Sequence, residues 1–169
     1  MTTDPRLVWL TGFAGLMIAA AIVDFRRLII PNPLVGGLCV LWLLDLETTS
    51  DAIPATVIAT IGCAAAVFLV GAVLFSRGLI GGGDVKLLAA ATLWAGPAAT
   101  LALLVLTGLL GGLLCLLLLT PAGALIAAIQ PTNRDPSGGA SGGATPVFVP
   151  YGVAIAAAGL IVTIPPNFN

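Results

Sequence analysis

"GGGDVKLLAAATLWAGPAATLALLVLTGLLGGLLCLLLL", residues 81–119, decides the fold of this chain. Asp84 and Lys86 stand near its start, and no further charged residue follows until Arg134. A helix that crosses a membrane needs about 20 mostly apolar residues. The charge-free stretch is too long for one such helix and about right for two. Gly96-Pro97 is the natural break between them, because proline cannot continue the helical hydrogen-bond ladder.

The composition of the whole chain agrees with a membrane environment. The 169 residues give room for one domain, residues 1–169. Hydrophobic residues make up 59% and charged residues only 8%, whereas soluble domains carry about 25% charged residues. We therefore expect an integral membrane protein in contact with the lipid bilayer. The formal net charge of −1 says little about partners, and no basic stripe indicates a nucleic-acid partner.

The apolar segments predict an all-α, polytopic membrane bundle of about six transmembrane helices. The expected spans are 7–23, 29–44, 53–75, 84–95, 98–119 and 148–164. Residues 131–146 are rich in Gly, Ser and Pro and are expected to form a flexible loop. The first span is expected to be retained rather than cleaved as a signal peptide. Its paired arginines follow the apolar stretch, whereas those of a signal peptide precede it.

The basic residues predict the orientation of the bundle. Cytoplasmic loops of membrane proteins are enriched in lysine and arginine. With six spans and an outside N-terminus, the "DLETTSD" loop (45–51) and Arg6 face out. The basic residues that then face the cytoplasm are Arg26, Arg27, Arg77, Lys86 and Arg134. The same orientation brings Asp24 and Asp84 to the cytoplasmic membrane surface.

The residue types that are missing narrow the chemistry. The chain has no histidine, which excludes imidazole catalysis, the usual serine and cysteine triads and histidine-based metal sites. Cys39, Cys63 and Cys115 are scattered through apolar segments without a Cys-x-x-Cys pair, as expected for buried small apolar residues. The sequence therefore predicts no metal site and no cofactor.

Asp24 and Asp84 are the candidate catalytic residues. Each has a structural alternative when taken alone: Asp84 as a helix N-cap, and Asp24 as an interfacial residue paired with Arg26 or Arg27. Taken together, the two aspartates fit one catalytic chemistry better than they fit these separate structural roles. Carboxylates that approach each other share a proton, so that one acts as base on a water and the other as acid toward a carbonyl. This is aspartic protease chemistry, and it requires neither a metal nor a histidine.

The three glycines before Asp84 suit the same interpretation. Gly81, Gly82 and Gly83 have no side chains to obstruct an extended peptide, and they can adopt backbone angles that other residues avoid. A substrate could pair with this loop as an added strand. The alternative is a plain flexible turn.

Two motifs in the chain resemble those of the type IV prepilin peptidases, membrane aspartic proteases with a Gly-x-Gly-Asp motif. The first motif of that family, Asp-x-Arg followed by Ile-Pro-Asn, is matched by Asp24, Arg26, Ile30, Pro31 and Asn32. The second, Gly-x-Gly-Asp-x-Lys-Leu, is matched by Gly81, Gly83, Asp84, Lys86 and Leu87. "VPYGVAIAAAG" (149–159) is similar to the family's last helix.

The resemblance implies a function and roles for the matched residues. The family removes the short basic leader from pilin precursors on the cytoplasmic side, usually after a glycine, so prepilin-like precursors are the expected partners. Asp24 and Asp84 correspond to the catalytic pair. Arg26, Asn32 and Lys86 are secondary. We expect Asn32 to satisfy backbone groups where "PNP" interrupts the helix, while Lys86 either influences the protonation of the aspartate or extends to the interface.

Departures from the family pattern indicate a minimal form. Bifunctional relatives also methylate the new N-terminus and carry a cytoplasmic insert with paired Cys-x-x-Cys motifs, which this chain lacks. It is therefore similar to the peptidase-only enzymes of tight-adherence (Flp) pilus systems. Leu28 and Ile29 replace basic residues of the family, which weakens an electrostatic role for that segment.

Three other functions stay open from the sequence. A small proton- or ion-coupled transporter could use both aspartates, although its usual signature is mid-membrane carboxylates and inverted repeats. A structural scaffold of a secretion or pilus machine would need no chemistry. A presenilin-like protease shares Gly-x-Gly-Asp but has tyrosine before its first aspartate, where this chain has Val23. The oligomeric state cannot be predicted.

Overall fold

The computed structural model describes residues 5–48, 54–120 and 149–164, and these ranges contain helices and no strands. Each helix coincides with an apolar segment of the sequence, and short connections separate them. The helices are α1 (Pro5–Arg27), α2 (Asn32–Thr48), α3 (Pro54–Ser76), α4 (Gly82–Leu118) and α5 (Tyr151–Thr163). The all-α prediction is confirmed. The predicted loop 131–146 lies outside the described residues.

Three of the helices are long and apolar enough to cross a membrane. The candidate spans are Arg6–Arg27, Ala55–Ser76 and Gly82–Leu118. Helices α2 and α5 are apolar but shorter, at 17 and 13 residues. These features support a membrane protein. The expectation of about six crossings stays a prediction.

The 37-residue helix α4 is kinked at the break that the sequence predicts. Gly96 has φ 69° and ψ 175°, a left-handed conformation that a side chain disfavours. Pro97 follows and cannot donate the next backbone hydrogen bond. The Thr100 hydroxyl donates to the Gly96 carbonyl over 2.7 Å, which adds a partner at the kink. The two apolar halves of α4 therefore run in different directions.

The end of α1 lies later than expected. The helix continues to Arg27 rather than ending at Val23, so Asp24 sits inside its last turn. Leu28 then adopts a left-handed φ of 54°, and its N–H donates to the Asp24 carbonyl over 2.8 Å. This closing turn ends the helix and brings Ile30 to a buried position. Helix α2 begins at Asn32, after the Pro31 that interrupts helical bonding.

Helix α5 lies between the two helices that carry the aspartates. It packs against both α1 and α4, whose backbones are not in close contact with each other in the described ranges. Helix α3 packs against α4, and α2 packs against α1 and α4. The centre is apolar and fully buried at Phe13, Met17, Leu38, Leu87 and Ile155. This arrangement makes α5 the structural bridge between the candidate catalytic residues.

The outer surface is strongly apolar. Ile58 is 70% exposed, Leu101 72% and Leu113 63%. Soluble monomers rarely expose large contiguous apolar patches, whereas a lipid bilayer is a favourable surrounding for such side chains. The exposed faces of α3 and of the second half of α4 therefore suit contact with lipid.

Candidate active site

Asp24 is buried and is held by the start of α5. Only 4% of the residue is exposed, although it sits in the last turn of α1. Its Oδ2 atom accepts a hydrogen bond from the backbone N–H of Gly152 over 2.8 Å, and the backbone of Val153 lies near enough to interact favourably with the same carboxylate. A buried carboxylate without such donors would be costly. The first turn of α5 therefore supplies the backbone interactions that make this burial possible.

Asp84 occupies the first turn of α4 and is not its N-cap, so that structural alternative is wrong. The helix begins at Gly82 with Gly81 as the N-cap residue, which places Asp84 third in the helix. Helical geometry extends through Gly82 and Gly83, two residues earlier than the apolar pattern predicts. The Asp84 carboxylate accepts a hydrogen bond from the Gly81 backbone. This is the return half of a capping box, in which the third helical residue caps the N-cap N–H.

The two aspartates act on each other electrostatically. The negative charge of Asp24 acts on Asp84, and that of Asp84 acts on the Tyr151 phenol. The structure records no ion pair between Asp24 and the exposed Arg26 and Arg27 within the ranges it describes. Asp24 is instead paired with backbone of α5. Within the described residues, neither Asp24 nor Asp84 has a recorded basic partner.

The glycines of residues 81–83 fit closely against their neighbours. A Cβ at Gly83 would lie 3.1 Å from Cβ of Ile30, and one at Gly82 would lie 3.2 Å from the Phe75 ring. A Cβ at Gly81 would lie 2.7 Å from Oδ2 of Asp84. None of the three has a positive φ, so the expected use of unusual backbone angles is wrong. Their missing side chains allow close packing around Asp84.

Lys86 and Asn32 join the two motifs. The Lys86 ammonium donates to Oδ1 of Asn32 over 3.0 Å, and both residues are exposed. We expected the Asn32 side chain to bond to backbone groups where the helix is interrupted. Its oxygen instead faces α4 and accepts the hydrogen bond from Lys86. This bond connects the N-terminus of α2 to the first turn of α4.

An apolar groove opens beside Asp84, with a volume of about 380 Å³. Its walls come from α3, α4 and α5, and the polar side chains among them include Asp84, Thr100 and Tyr151. Cys63 and Leu74 both line it, 11 residues apart on α3, which corresponds to about 16 Å of helix. The groove is therefore elongated along the bundle, with Asp84 exposed to it.

A comparison with known protein families supports the function that the site residues suggest. The family model described as "Type IV leader peptidase family" matches residues 11–116, more than half of the chain. The chain belongs to the type IV leader peptidase family. No curated protein and no solved structure gives a significant match. The matched range includes Asp24, Asp84 and all the other residues that the sequence singles out as site residues. Membership supports a prepilin leader peptidase.

Sequence reasoning missed one part of this leader peptidase site. Tyr151, Gly152 and Val153 lie beyond the matched range, yet they contact or neighbour both aspartates. The ring of Tyr151 lies against Gly111, where any side chain would collide with it. A signal was present in the small residues Gly152, Ala156 and Gly159, spaced to form one face of a helix. Such spacing indicates close packing and does not by itself reveal which residue is packed against it.

No metal site is recorded among the described residues, in which no group of three or more His, Cys, Asp or Glu side chains lies together. The acidic side chains of the candidate site are Asp24 and Asp84. The arrangement offers two carboxylates, backbone donors and an apolar groove.

Proposed function

We propose that this leader peptidase is a membrane-embedded aspartic endopeptidase that removes the basic leader from type IV or Flp prepilin-like precursors. The observation that carries the proposal is the buried Asp24, whose charge acts on Asp84 across the start of α5. The family match supports the leader peptide as substrate. Cleavage usually follows a glycine in the enzymes that the two motifs resemble.

The proposed mechanism uses one shared proton. The ionised carboxylate takes a proton from a water molecule, whose oxygen attacks the carbonyl carbon of the scissile peptide. The protonated carboxylic acid donates its proton to the carbonyl oxygen, and a tetrahedral diol forms. Collapse of the diol breaks the C–N bond, and a proton passes to the leaving amine. The two aspartates end with one proton between them, ready for the next cycle.

The surroundings of Asp84 suit this chemistry. The groove walls are almost entirely apolar, and a low-dielectric surrounding strengthens the interactions of charged groups. The groove leaves room for an apolar portion of a precursor next to Asp84. Gly81, Gly82 and Gly83 shape the start of α4 through their close contacts, which keeps bulk away from the carboxylate.

The predicted orientation of the bundle adds to the proposal the side of the membrane on which cleavage occurs. Five basic residues on one side of the predicted six-span arrangement favour cleavage at the cytoplasmic face of a bacterial inner membrane. The end of α1 and the start of α4 would then face the cytoplasm, where the leader of a precursor resides. The chain lacks the paired Cys-x-x-Cys insert of bifunctional relatives, which supports a peptidase without methyltransferase activity.

Co-expression with candidate pilins tests the proposal. Mass determination of the mature pilin N-terminus should show loss of the leader when the wild-type chain is present. The Asp84→Asn variant, expressed to the same level in the membrane, should leave the precursor intact. Leader removal by the variant, or no removal of any prepilin by the wild-type chain, would contradict the proposed function.

A further inference from the structure

The first turn of α5 contributes a contact to the site that neither sequence motif contains. Gly152 lies 128 residues from Asp24 in sequence, and its N–H meets the Asp24 carboxylate over 2.8 Å. The residue is buried at the point where α5 packs against α1. It also lies outside the part of the chain that matches the leader peptidase family.

The absence of a side chain at this position is as important as the N–H. A Cβ on Gly152 would lie 2.8 Å from both Cγ and Oδ2 of Asp24, and 3.0 Å from its Cβ. Real Cβ atoms essentially never approach other atoms this closely, so the carboxylate or the helix would have to move. Gly152 has no positive φ, so its backbone conformation is available to other residues. Contact with Asp24 is therefore the specific requirement for glycine.

We propose that Gly152 is a positioning residue that fixes the orientation of the Asp24 carboxylate. It acts in two ways, through its backbone N–H and through the space left by its missing side chain. The inference rests on the proposed function, because it assigns Gly152 a part in peptide hydrolysis through Asp24. The leader peptidase site is then built from three segments of the chain: the end of α1, the start of α4 and the start of α5.

The displacement of the Asp24 carboxylate sets the size of the rate loss that we expect from a side chain at position 152. The N–H of Gly152 donates to the Asp24 carboxylate, whose oxygens act only as acceptors when the group is ionised. Hydrogen bonds to charged groups are shorter and stronger than neutral ones. Peptide hydrolysis needs the carboxylate within hydrogen-bond reach of a water. A misplacement of about 1 Å can lower the rate by about 100-fold. The methyl group of alanine at position 152 would force a shift of this order.

The first experiment compares Gly152→Ala with Gly159→Ala, a matched control on the same face of α5. Gly159 is also buried, but a Cβ there would lie 3.4 Å from the flexible end of Met17 and farther from any other atom. In purified protein, we expect Gly152→Ala to lower kcat by about 100-fold with KM nearly unchanged. Gly159→Ala should keep wild-type kcat and KM.

Three results would overturn the proposal. One is a Gly152→Ala variant that folds and keeps a kcat close to wild type, because the carboxylate would then not depend on this contact. Another is an equal loss of kcat in both glycine variants, because general packing of α5 would then explain the loss. A rise in KM alone for Gly152→Ala would also contradict the proposal, since it would indicate a role in substrate binding.

A second measurement applies if Gly152→Ala accumulates poorly, and it does not depend on activity. Thermal unfolding is compared for Gly152→Ala in the wild-type background and in an Asp24→Ala background, which removes the carboxylate. We expect alanine at position 152 to lower Tm clearly in the first background and little in the second, a coupling that reveals direct contact. Equal losses of Tm, or failure to accumulate in both backgrounds, would overturn the proposed contact. Failure of the wild-type chain to cleave any precursor would refute the proposed function. The comparison of Tm in the two backgrounds would still decide whether Gly152 contacts Asp24.

Discussion

The ammonium group of Lys86 donates a hydrogen bond to the side-chain oxygen of Asn32 over 3.0 Å. The two residues belong to different motifs, 54 positions apart, and the bond holds the start of α2 against the first turn of α4. Asn32 follows the loop that buries Ile30 against Gly83. The bond therefore helps to keep the loop after Asp24 next to the glycines before Asp84.

Removing this bond should weaken the enzyme without abolishing it. Asn32→Leu deletes the acceptor, and a typical hydrogen bond contributes about 0.5–1.5 kcal/mol, with the lower end expected because both groups are exposed. We expect a slightly lower Tm and cleavage that is slowed but still measurable. Asn32→Asp keeps an acceptor at the same place and should behave like the wild type. A complete loss of cleavage in Asn32→Leu with an unchanged Tm would contradict this structural role.

Gly83, directly before Asp84, should not tolerate alanine. Gly83→Ala places a methyl group 3.1 Å from Cβ of Ile30 and 3.4 Å from its backbone nitrogen, which cannot easily move. Overpacking of this kind costs about 1–3 kcal/mol. Gly62→Ala on α3 is the control, because nothing lies within 4 Å of a Cβ there. We expect thermal unfolding in detergent to show a clear loss of stability for Gly83→Ala alone; equal Tm values would contradict the close contact.

Metal and methyl-donor dependence should both be absent. The chain has no histidine and no paired cysteines to form the inner coordination sphere of zinc. Leader removal should therefore continue at the same rate in the presence of strong chelators. Labelled S-adenosylmethionine should leave no label on the mature pilin. Cleavage that stops with a chelator and returns with added metal, or label on the product, would refute the peptidase-only interpretation.

The predicted orientation can be tested by labelling single cysteines in intact cells. Cys39, Cys63 and Cys115 are first replaced by alanine. An impermeant thiol reagent should then modify a cysteine placed at Thr48, at the end of α2, and not one placed at Ser137. Lysed cells should label at both positions, which controls for reactivity. The reverse pattern in intact cells would move the aspartates to the outer face and contradict cleavage in the cytoplasm.

The sequence was most informative where charge is scarce. The apolar runs predict helices because a bilayer offers no partner for unpaired backbone groups, and Gly96-Pro97 marks the kink of α4. The spacing of Asp24 and Asp84 among so few charged residues predicts their shared role. Helix ends were less predictable: α1 extends past Val23 because residues 24–27, three of them charged, remain helical until Leu28 adopts a left-handed conformation.

Contacts between distant segments were the hardest part to predict. Gly152 reaches Asp24 only because α5 packs between α1 and α4, and helical periodicity does not specify which neighbours a face meets. The pairing of Lys86 with Asn32 has the same origin. Local patterns predict that a glycine allows close approach, but the partner that approaches is a property of the assembled bundle.

Exchange of the carboxyl group at each aspartate tests the shared-proton mechanism most directly. Asp→Asn keeps the size of the side chain but removes its ability to act as base. We measure the rate of leader removal by Asp24→Asn, by Asp84→Asn and by the double variant, at matched protein levels in the membrane. Asp45→Asn, near the opposite end of α2, makes the same chemical change away from the site and should cleave normally.

Each single asparagine variant should lose activity by a factor on the order of 10⁴, and the double variant should be no worse, because the residues act as one unit. Asp→Glu at either position should also fail, since the added methylene displaces the carboxylate by about 1 Å and costs about 100-fold. Substantial leader removal by Asp24→Asn or Asp84→Asn would contradict the account. Asp84 would then remain only a residue of the first turn of α4 whose carboxylate accepts a hydrogen bond from the Gly81 backbone.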